Sequence, residues 1–251
     1  MISVVFSTHK SPEYNESFIN HLKETSGLKD IQILMSINIR QFSLSEVYNK
    51  GLEESIHDIV VFLHNDIKLS KNWGRKLLKD FQDNSEYAIL GKAGSVHFPE
   101  SCVYWEKLHL HMVGEVWHKP KDKHKFLSRY SDTSFGIIPV VTVDGVFIAI
   151  DKTKIVEKFD EEIQGFHFYD HGFCLPNYLQ GVKIGVTNSF ELIHESIGQT
   201  NQEFEFTKGV FKSKYGEKLP ITLYPERVKY NPINIRPVSY THLTLPTKRI
   251  V

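Results

Sequence analysis

The chain has 251 residues, in which 30 lysines and arginines balance 30 aspartates and glutamates, so its formal net charge is zero. Hydrophobic residues make up 41% of the chain and aromatic residues 12%, a composition typical of one ordinary soluble domain or two small ones. A balanced charge provides no field for nonspecific binding along DNA or RNA, so we expect no nucleic-acid partner. The longest apolar runs, 58–63 and 137–141, fall short of the roughly 20 residues that a membrane-spanning helix needs.

The amino terminus and the two cysteines bear on the cellular compartment. Residues 1–8 carry neither a charged leader nor a small-residue cleavage site, so they are predicted to form the first strand of a mature protein. Cys102 and Cys174 are too few and too far apart for a disulfide scaffold or a zinc knuckle. We therefore expect reduced thiols and a cytoplasmic protein.

Strand and helix patterns alternate along the first part of the chain. Short apolar runs rich in β-branched residues predict buried strands, and apolar residues at helical spacing predict the helices between them. The predicted strands are 2–6, 31–37 and 59–63, and the predicted helices begin near Ser11 and Ser43. This alternation predicts an α/β domain with a mostly parallel sheet flanked by helices, in which ligands bind at the carboxyl ends of the strands.

The second part of the chain is harder to interpret. Its predicted elements are a helix over 71–81, a strand over 88–90, a turn over 91–95, a strand pair over 140–150 and a short strand over 190–194. Residues 96–135 are aromatic and rich in histidine but have no period, so we interpret them as an insertion or a mobile lid. After Ser196 we expect peripheral packing only.

The last residues of the chain need a separate interpretation. Residues 237–247 continue no helical or strand period, and they can be back-translated into the end of a transposase-based DNA-sequencing adapter. We interpret 237–251 as adapter readthrough, with a genuine but unusual tail as the alternative. On this interpretation, residues 1–200 form the domain and residues 201–236 form a C-terminal extension that is cut short.

Two short polar motifs could carry chemistry. His64-Asn65-Asp66 follows the buried third strand directly, where a carboxylate could hold a divalent cation. The alternative, with even odds, is that Asp66 only caps the following turn. In Asp144-Gly145 the carboxylate could meet a sugar hydroxyl, but a plain turn is the more common role of this dipeptide.

A third group combines carboxylates and histidines with aromatic residues over 159–171 and 190–194. Such surroundings prepare a partly desolvated acid or base. The alternative is an amphipathic helix with a core histidine, which explains part of the pattern but not its density.

Taken together, seven segments of the chain resemble the family 2-type glycosyltransferases with a GT-A fold, in particular a bacterial glycosyltransferase-like subgroup. The segments are 4–7, 45–51, 60–66, 91–95, 143–145, 166–170 and 194–196. The resemblance covers roughly residues 2–196. It implies a single GT-A domain, which is Rossmann-like, with a mostly parallel sheet flanked by helices.

The resemblance also implies a metal site. His64-Asn65-Asp66 stands where the family has its metal-binding Asp-x-Asp, with His64 in place of the first aspartate. His194 matches a later histidine that can complete the site. Asp66 and His194 are therefore the implied ligands of a divalent cation, Mn²⁺ or Mg²⁺.

The catalytic base and the donor site follow from the same resemblance. Asp170 corresponds to the general base of the family's Glu-Asp motif, although Tyr169 precedes it in place of glutamate and Gly172 replaces an acid often found two residues later. The implied nucleotide-sugar site consists of Ser7, Thr8, Asn38, His64, Asn65, Asp66, Asp144 and Gly145, with Ser7, Thr8 and Asn38 near the base and ribose.

The implied function is a metal-dependent glycosyltransferase of bacterial polysaccharide biosynthesis. It would transfer a sugar from a UDP- or dTDP-sugar, or a similar donor, to a glycan or a lipid-linked acceptor, in the cytoplasm or at the inner face of the membrane. A single displacement with Asp170 as the base predicts inversion of the anomeric carbon. The basic run 119–125 is read as a solvated loop that could also approach a membrane surface.

Two other functions stay open at this point. A nucleotidyltransferase shares the layered sheet and the carboxylate-bound metal, but residues 7–10 are a poor version of its Gly-rich, basic loop. A noncatalytic nucleotide- or glycan-binding module is favoured by His64 and Tyr169, two of the departures from the family pattern.

Overall fold

The computed structural model describes residues 1–105, 111–121, 123–131, 136–198 and 200–224. The helices are α1 (Pro12–Ser26), α2 (Leu44–Glu54), α3 (Trp73–Asp83), α4 (Tyr169–Leu179) and α5 (Gln202–Tyr215), with a 3-10 turn at Gly216–Lys218. The strands are β1 (Ile2–Thr8), β2 (Gln32–Ile37), β3 (Ile59–Leu63), β4 (Ile67–Leu69), β5 (Tyr87–Gly91), β6 (Ala93–Ser95), β7 (His97–Phe98), β8 (Met112–His118), β9 (Phe126–Arg129), β10 (Ile138–Val140), β11 (Thr142–Val143), β12 (Phe147–Asp151), β13 (Lys183–Val186), β14 (Leu192–His194) and β15 (Ile221–Thr222). The interpretation of residues 237–251 as adapter sequence lies outside the described residues.

The larger sheet confirms the predicted α/β class. Among the described residues it has seven strands in the order β10-β13-β5-β12-β3-β1-β2. β2, β1 and β3 pair in parallel, as do β5 and β13, whereas β12 runs antiparallel between β3 and β5. Five strands therefore point the same way, and their carboxyl ends form one edge of the sheet.

The first two helices begin where the sequence predicts. The side chain of Ser11 accepts a hydrogen bond from the backbone N–H of Tyr14 at the start of α1, and Gly27 ends the helix in the left-handed region at φ 72°. Ser43 and Glu46 form a reciprocal capping box at the start of α2. Their apolar faces pack on opposite faces of the sheet, with Leu22 of α1 on one side and Tyr48 of α2 on the other.

A second sheet corrects the prediction for residues 91–135. Among the described residues it has six strands: the path β11-β6-β8-β14-β4, with β9 paired to β8. The predicted turn over 91–95 contains β6, and the predicted insertion or lid contains β7, β8 and β9. Periodicity missed these strands because most of them are short and because their partners include β11, β14 and β15, which come from distant parts of the chain.

The segment after Ser196 is also more than peripheral. Phe204 and Phe211 of α5 are buried against Phe98 and Phe168 in a third hydrophobic cluster. Few apolar residues mark this helix in the sequence, but its aromatic residues share a cluster with residues of β7, β8 and α4.

Two further observations concern the class of protein. Cys102 and Cys174 are buried free thiols, as expected. No helix within the described ranges has the length and apolar character to cross a bilayer.

Candidate functional site

Two strands of the second sheet, β4 and β14, position His64, Asp66 and His194 at the carboxyl edge of the larger sheet. His64-Asn65-Asp66 connects β3 to β4, and β4 pairs antiparallel with β14 so that Ile67 lies opposite His194. The backbone N–H of Glu195 donates to the carbonyl oxygen of Asp66 at 2.8 Å. This pairing brings Asp66 and His194 together across 128 residues of sequence.

Three side chains at this point could hold a metal ion. One potential ligand atom from each of His64, Asp66 and His194 lies within 4.8 Å of the other two. Nε2 of His194 lies 3.3 Å from Oδ1 of Asp66, and the rings of His64 and His194 have centroids 5.5 Å apart. The structure therefore adds His64 as a third candidate ligand to the two that the resemblance implied. We call His64, Asp66 and His194 the metal-ligand trio.

The electrostatics of the trio suit a divalent cation. Burial opposes ionisation of Asp66, but the hydrogen bond and charge interaction with His194, together with His64, outweigh burial and hold the pKa of Asp66 below its usual value. Burial and the neighbouring His194 lower the pKa of His64. Because a metal ion binds ionised carboxylates and neutral imidazoles, these shifts place both residues in the required protonation state. Two imidazoles and one carboxylate are common ligands of divalent transition metals.

Asp170 lies at the start of α4 and is held by the backbone. Its Oδ2 accepts a hydrogen bond from the N–H of Gly145 at 2.8 Å, and its Oδ1 accepts one from the N–H of His171 at 2.9 Å. Burial raises the pKa of Asp170, and the nearby Asp144 carboxylate adds to this effect, whereas His171 and the two N–H groups oppose it. A fixed carboxylate with a raised pKa is suited to accept a proton near neutral pH.

Asp144 and Gly145 form a turn that also lines the site. Oδ1 of Asp144 accepts from the N–H of Val146 at 2.9 Å, and Oδ2 accepts from the hydroxyl of Tyr104 at 3.0 Å. Any Cβ at position 145 would collide with the hydroxyl of Tyr169. The turn is therefore confirmed, and the Asp144 carboxylate lines the same cleft as Asp170. Its contact with a sugar hydroxyl stays a prediction.

A small cleft of about 130 Å³ joins these groups. Its lining residues are His64, Tyr104, Trp105, Asp144, Gly145, Phe166, His167, Phe168, Tyr169, Asp170, His171 and Phe204. Sequence reasoning missed Tyr104, Trp105 and Phe204, which come from the segment interpreted as a lid and from the C-terminal extension. The density of aromatic residues in those segments was the one available signal.

The residues assigned to the nucleotide base and ribose lie at the ends of β1 and β2, and the side chains of Thr8 and Asn38 bond to neighbouring loop residues. The hydroxyl of Thr8 donates to Oδ1 of Asn15 at 2.8 Å and accepts from Nδ2 of Asn65 at 2.7 Å. Tyr14 donates from its hydroxyl to the carbonyl oxygen of Asn65 at 2.9 Å. Thr8 and Asn65 therefore hold the loop after β1 against the loop that carries His64 and Asp66.

Asn38 has a similar internal role. It is buried, its Oδ1 accepts from the N–H groups of Gln41 and Phe42, and its Nδ2 donates to the carbonyl oxygen of Phe42 at 2.8 Å. Its own N–H donates to the carbonyl oxygen of Thr8 at 2.8 Å. Ser7 is half-buried and pairs with Ser36 in the β1–β2 ladder. The structure thus brings Thr8, Asn38 and Asn65 together, with the side chain of Asn38 closing its own loop.

Tyr169 connects the position of Asp170 with the metal-ligand trio. Its hydroxyl lies 2.9 Å from Nε2 of His64, so the residue before Asp170 contacts a member of the metal-ligand trio. His64 and Tyr169 are two of the positions at which the sequence departs from the resembled family. The sequence showed both departures, but only the fold shows that they touch.

The fold places the chain in the GT-A class. A family model described as "Glycosyltransferase like family" matches residues 3–215, and the chain belongs to that family.

Comparison with solved structures bears on the fold. Among the 183 solved chains that match is the crystal structure of GalNAc-T7 with UDP, GalNAc and Mn²⁺, with a TM-score of 0.54 and 9% sequence identity. The alignment covers 90% of this chain and 53% of that chain, so the chain spans about half the length of the matched structure. No curated protein sequence matches. At this identity the likeness establishes the GT-A fold.

Proposed function

We propose that the protein is a metal-dependent glycosyltransferase that uses a nucleotide-sugar donor and inverts the anomeric carbon. One observation carries the proposal: the metal-ligand trio lies at the carboxyl edge of the sheet, and its member His64 lines the same cleft as the buried Asp170. A leaving-group site and a proton acceptor are thus next to each other.

His64, Asp66 and His194 would hold the divalent cation, Mn²⁺ or Mg²⁺. When bound, the cation neutralises the negative charge that develops on the nucleoside diphosphate, an effect on the order of several kcal/mol. The trio fits this role because its ligand atoms converge within 4.8 Å and because the pKa of Asp66 is held low.

Asp170 would act as the general base. As the acceptor hydroxyl oxygen bonds to the anomeric carbon, the bond from that carbon to the diphosphate oxygen breaks, and the hydroxyl proton passes to Asp170. The diphosphate leaves with the electron pair of the broken bond, so charge and atoms balance. The N–H groups of Gly145 and His171 fix the carboxylate in place, and such a base contributes roughly 10²- to 10⁴-fold to the rate.

The aromatic wall of the cleft supports a sugar acceptor. Trp105, Phe166 and Phe204 provide flat apolar faces beside the carboxylates of Asp144 and Asp170. A glycan, or the sugar portion of a lipid-linked acceptor, combines an apolar ring face with hydroxyl groups that Asp144 could accept from. The matched GalNAc-T7 structure contains UDP and GalNAc, which supports UDP- and dTDP-sugars as the first donors to test.

The cellular setting is part of the same proposal. We place the protein in the bacterial cytoplasm or at the inner face of the membrane, in polysaccharide biosynthesis. The basic residues Lys119, Lys121, Lys123 and Lys125 lie between β8 and β9 and could meet anionic headgroups. Cosedimentation with anionic vesicles, compared with neutral ones, tests this part alone.

Thermal unfolding of the full chain with a panel of nucleotide sugars tests the donor and the metal together. A ligand that binds the native state raises the melting temperature by mass action. We expect one nucleotide sugar to raise it in the presence of Mn²⁺, and we expect Asp66→Ala to remove the shift. A folded chain that shifts with no nucleotide sugar would contradict the proposal.

Product analysis separates the proposal from its alternatives. A glycosyltransferase releases a nucleoside diphosphate when donor and acceptor are both present. A noncatalytic binding module would retain nucleotide affinity without releasing diphosphate, and a nucleotidyltransferase acting on a sugar phosphate and a nucleoside triphosphate would release pyrophosphate. The configuration of the product, determined by NMR, tests inversion.

A further inference from the structure

Tyr169 is held rigidly against His64. Its side chain is buried, with 3% of its surface exposed, and its ring meets that of Tyr48 edge to face at a centroid distance of 5.5 Å. Its hydroxyl reaches across the turn at Gly145, where only a glycine leaves room for it. The 2.9 Å contact with Nε2 of His64 is therefore fixed by packing on several sides.

This contact constrains the two nitrogens of His64. A neutral imidazole carries one proton, and only its unprotonated nitrogen can bind a metal ion. Within the described part of the chain, Nε2 bonds to Tyr169 and no hydrogen bond engages Nδ1. If Nε2 carries the proton, the phenol oxygen of Tyr169 is the acceptor it needs, and Nδ1 is left for the metal.

We propose that Tyr169 is a positioning residue that accepts a hydrogen bond from Nε2–H of His64 and thereby presents Nδ1 of His64 to the divalent cation. The inference rests on the proposed function for the existence of the cation. It adds a residue outside the metal-ligand trio that sets the tautomer and the ring orientation of one ligand.

The same contact joins two of the positions at which the chain departs from the resembled family. An imidazole and a phenol at this distance form a neutral hydrogen bond.

The direct test measures Mn²⁺ affinity without any sugar substrate. Electron paramagnetic resonance of free Mn²⁺ gives the dissociation constant for the full chain and for Tyr169→Phe, which removes only the hydroxyl. We expect Tyr169→Phe to bind Mn²⁺ about 10- to 100-fold more weakly, the usual effect of losing a partner of a metal-bound histidine. Tyr104→Phe is the matched control, since it removes a buried cleft hydroxyl that bonds to Asp144 and not to the trio.

The outcomes separate this inference from the proposed function. If Asp66→Ala abolishes Mn²⁺ binding and Tyr169→Phe binds as tightly as the native chain, the role of Tyr169 is wrong and the metal site stands. If the native chain binds no Mn²⁺, the metal dependence itself fails. If Tyr169→Phe and Tyr104→Phe weakened Mn²⁺ binding equally, the cause would be a general loosening of the cleft. That result would overturn the role assigned to Tyr169.

A spectroscopic measurement on the native chain covers the case in which Tyr169→Phe does not fold. Long-range ¹H–¹⁵N correlation spectra report which nitrogen of a histidine carries the proton. We expect His64, assigned by comparison with His64→Gln, to show the Nε2–H tautomer. A protonated Nδ1 in the neutral ring would overturn the proposal.

Discussion

Two aspartates of the same site have opposite electrostatic surroundings. Asp66 has 24% of its side chain exposed and lies between two imidazoles, which hold its pKa below the usual value. Asp170 has 13% of its side chain exposed among aromatic residues, and burial raises its pKa. One carboxylate is thereby kept ionised, as the proposed cation site requires, and the pKa of the other is raised, as the proposed base requires.

This contrast shows how the environment divides two roles between identical side chains. Pairs of titratable groups whose pKa values are pushed apart are characteristic of acid-base sites. The loop after β3 supplies the first environment, and the start of α4 supplies the second. Substitutions at each aspartate should therefore have distinguishable effects.

The largest effect is expected for Asp66→Ala. This change removes the anionic ligand of the trio, and with it cation stabilisation worth several kcal/mol, so transfer should fall by about 10³-fold or more. Rates of nucleoside diphosphate release, measured across a Mn²⁺ titration, check this. Full activity of Asp66→Ala at ordinary Mn²⁺ concentrations would show that Asp66 is not a required ligand of the cation.

Asp170→Asn should have a slightly smaller and chemically different effect. It keeps an oxygen for one of the two N–H donors but loses the base, so kcat should fall by about 10²- to 10⁴-fold. The Mn²⁺ dissociation constant should stay within about twofold of the native value, because Asp170 is not part of the trio. If Mn²⁺ affinity fell as well, the roles of Asp170 and of the metal-ligand trio would not be independent.

The pH profile of kcat sharpens the same comparison. A raised pKa means that Asp170 becomes protonated, and stops acting as a base, at a higher pH than an ordinary carboxyl group. At saturating Mn²⁺ and substrates, kcat should therefore decline by up to about tenfold per pH unit as the pH falls through this pKa. In Asp170→Asn the residual rate should not show this decline at low pH. If the decline persisted in the variant, it would have to arise from another titrating group.

The smallest effect is expected at the aromatic wall. Trp105→Ala removes a half-buried ring that lines the cleft and packs near Phe204, with centroids 5.8 Å apart. Loss of one aromatic contact should raise the acceptor KM by about tenfold, on the order of 1 kcal/mol. Donor hydrolysis without acceptor should be unchanged, and a matching loss in hydrolysis would place Trp105 at the donor instead.

Much of the first half of the fold could be predicted from local patterns. The strand at Ile59–Leu63 was predicted at its observed bounds because a central strand is apolar on both faces, and the caps at Ser11 and Ser43 mark helix starts by their own chemistry. The second sheet could not be predicted, because β8 is stabilised by β6 and β14, which lie far from it in the sequence.

The candidate site divides in the same way. Position after a strand singled out Asp66 and Asp144, whereas Asp170 and His194 came from a cluster of carboxylates, histidines and aromatic residues and from the family resemblance. The aromatic wall was missed because Tyr104 and Trp105 follow no period, and Phe204 reaches the cleft only through the packing of α5. The roles assigned to all of these residues remain predictions for the experiments above.

The sequence by itself determined the α/β class, the glycosyltransferase resemblance and the aspartates on which the chemistry is proposed, because these depend on local composition and order. Tertiary structure alone decided that His64 joins Asp66 and His194, that Tyr169 touches His64, and that the pKa values of Asp66 and Asp170 move in opposite directions. The physical reason is that burial and electrostatic coupling act through distance in space, and the loops after β3, β11 and β14 meet only when both sheets have formed.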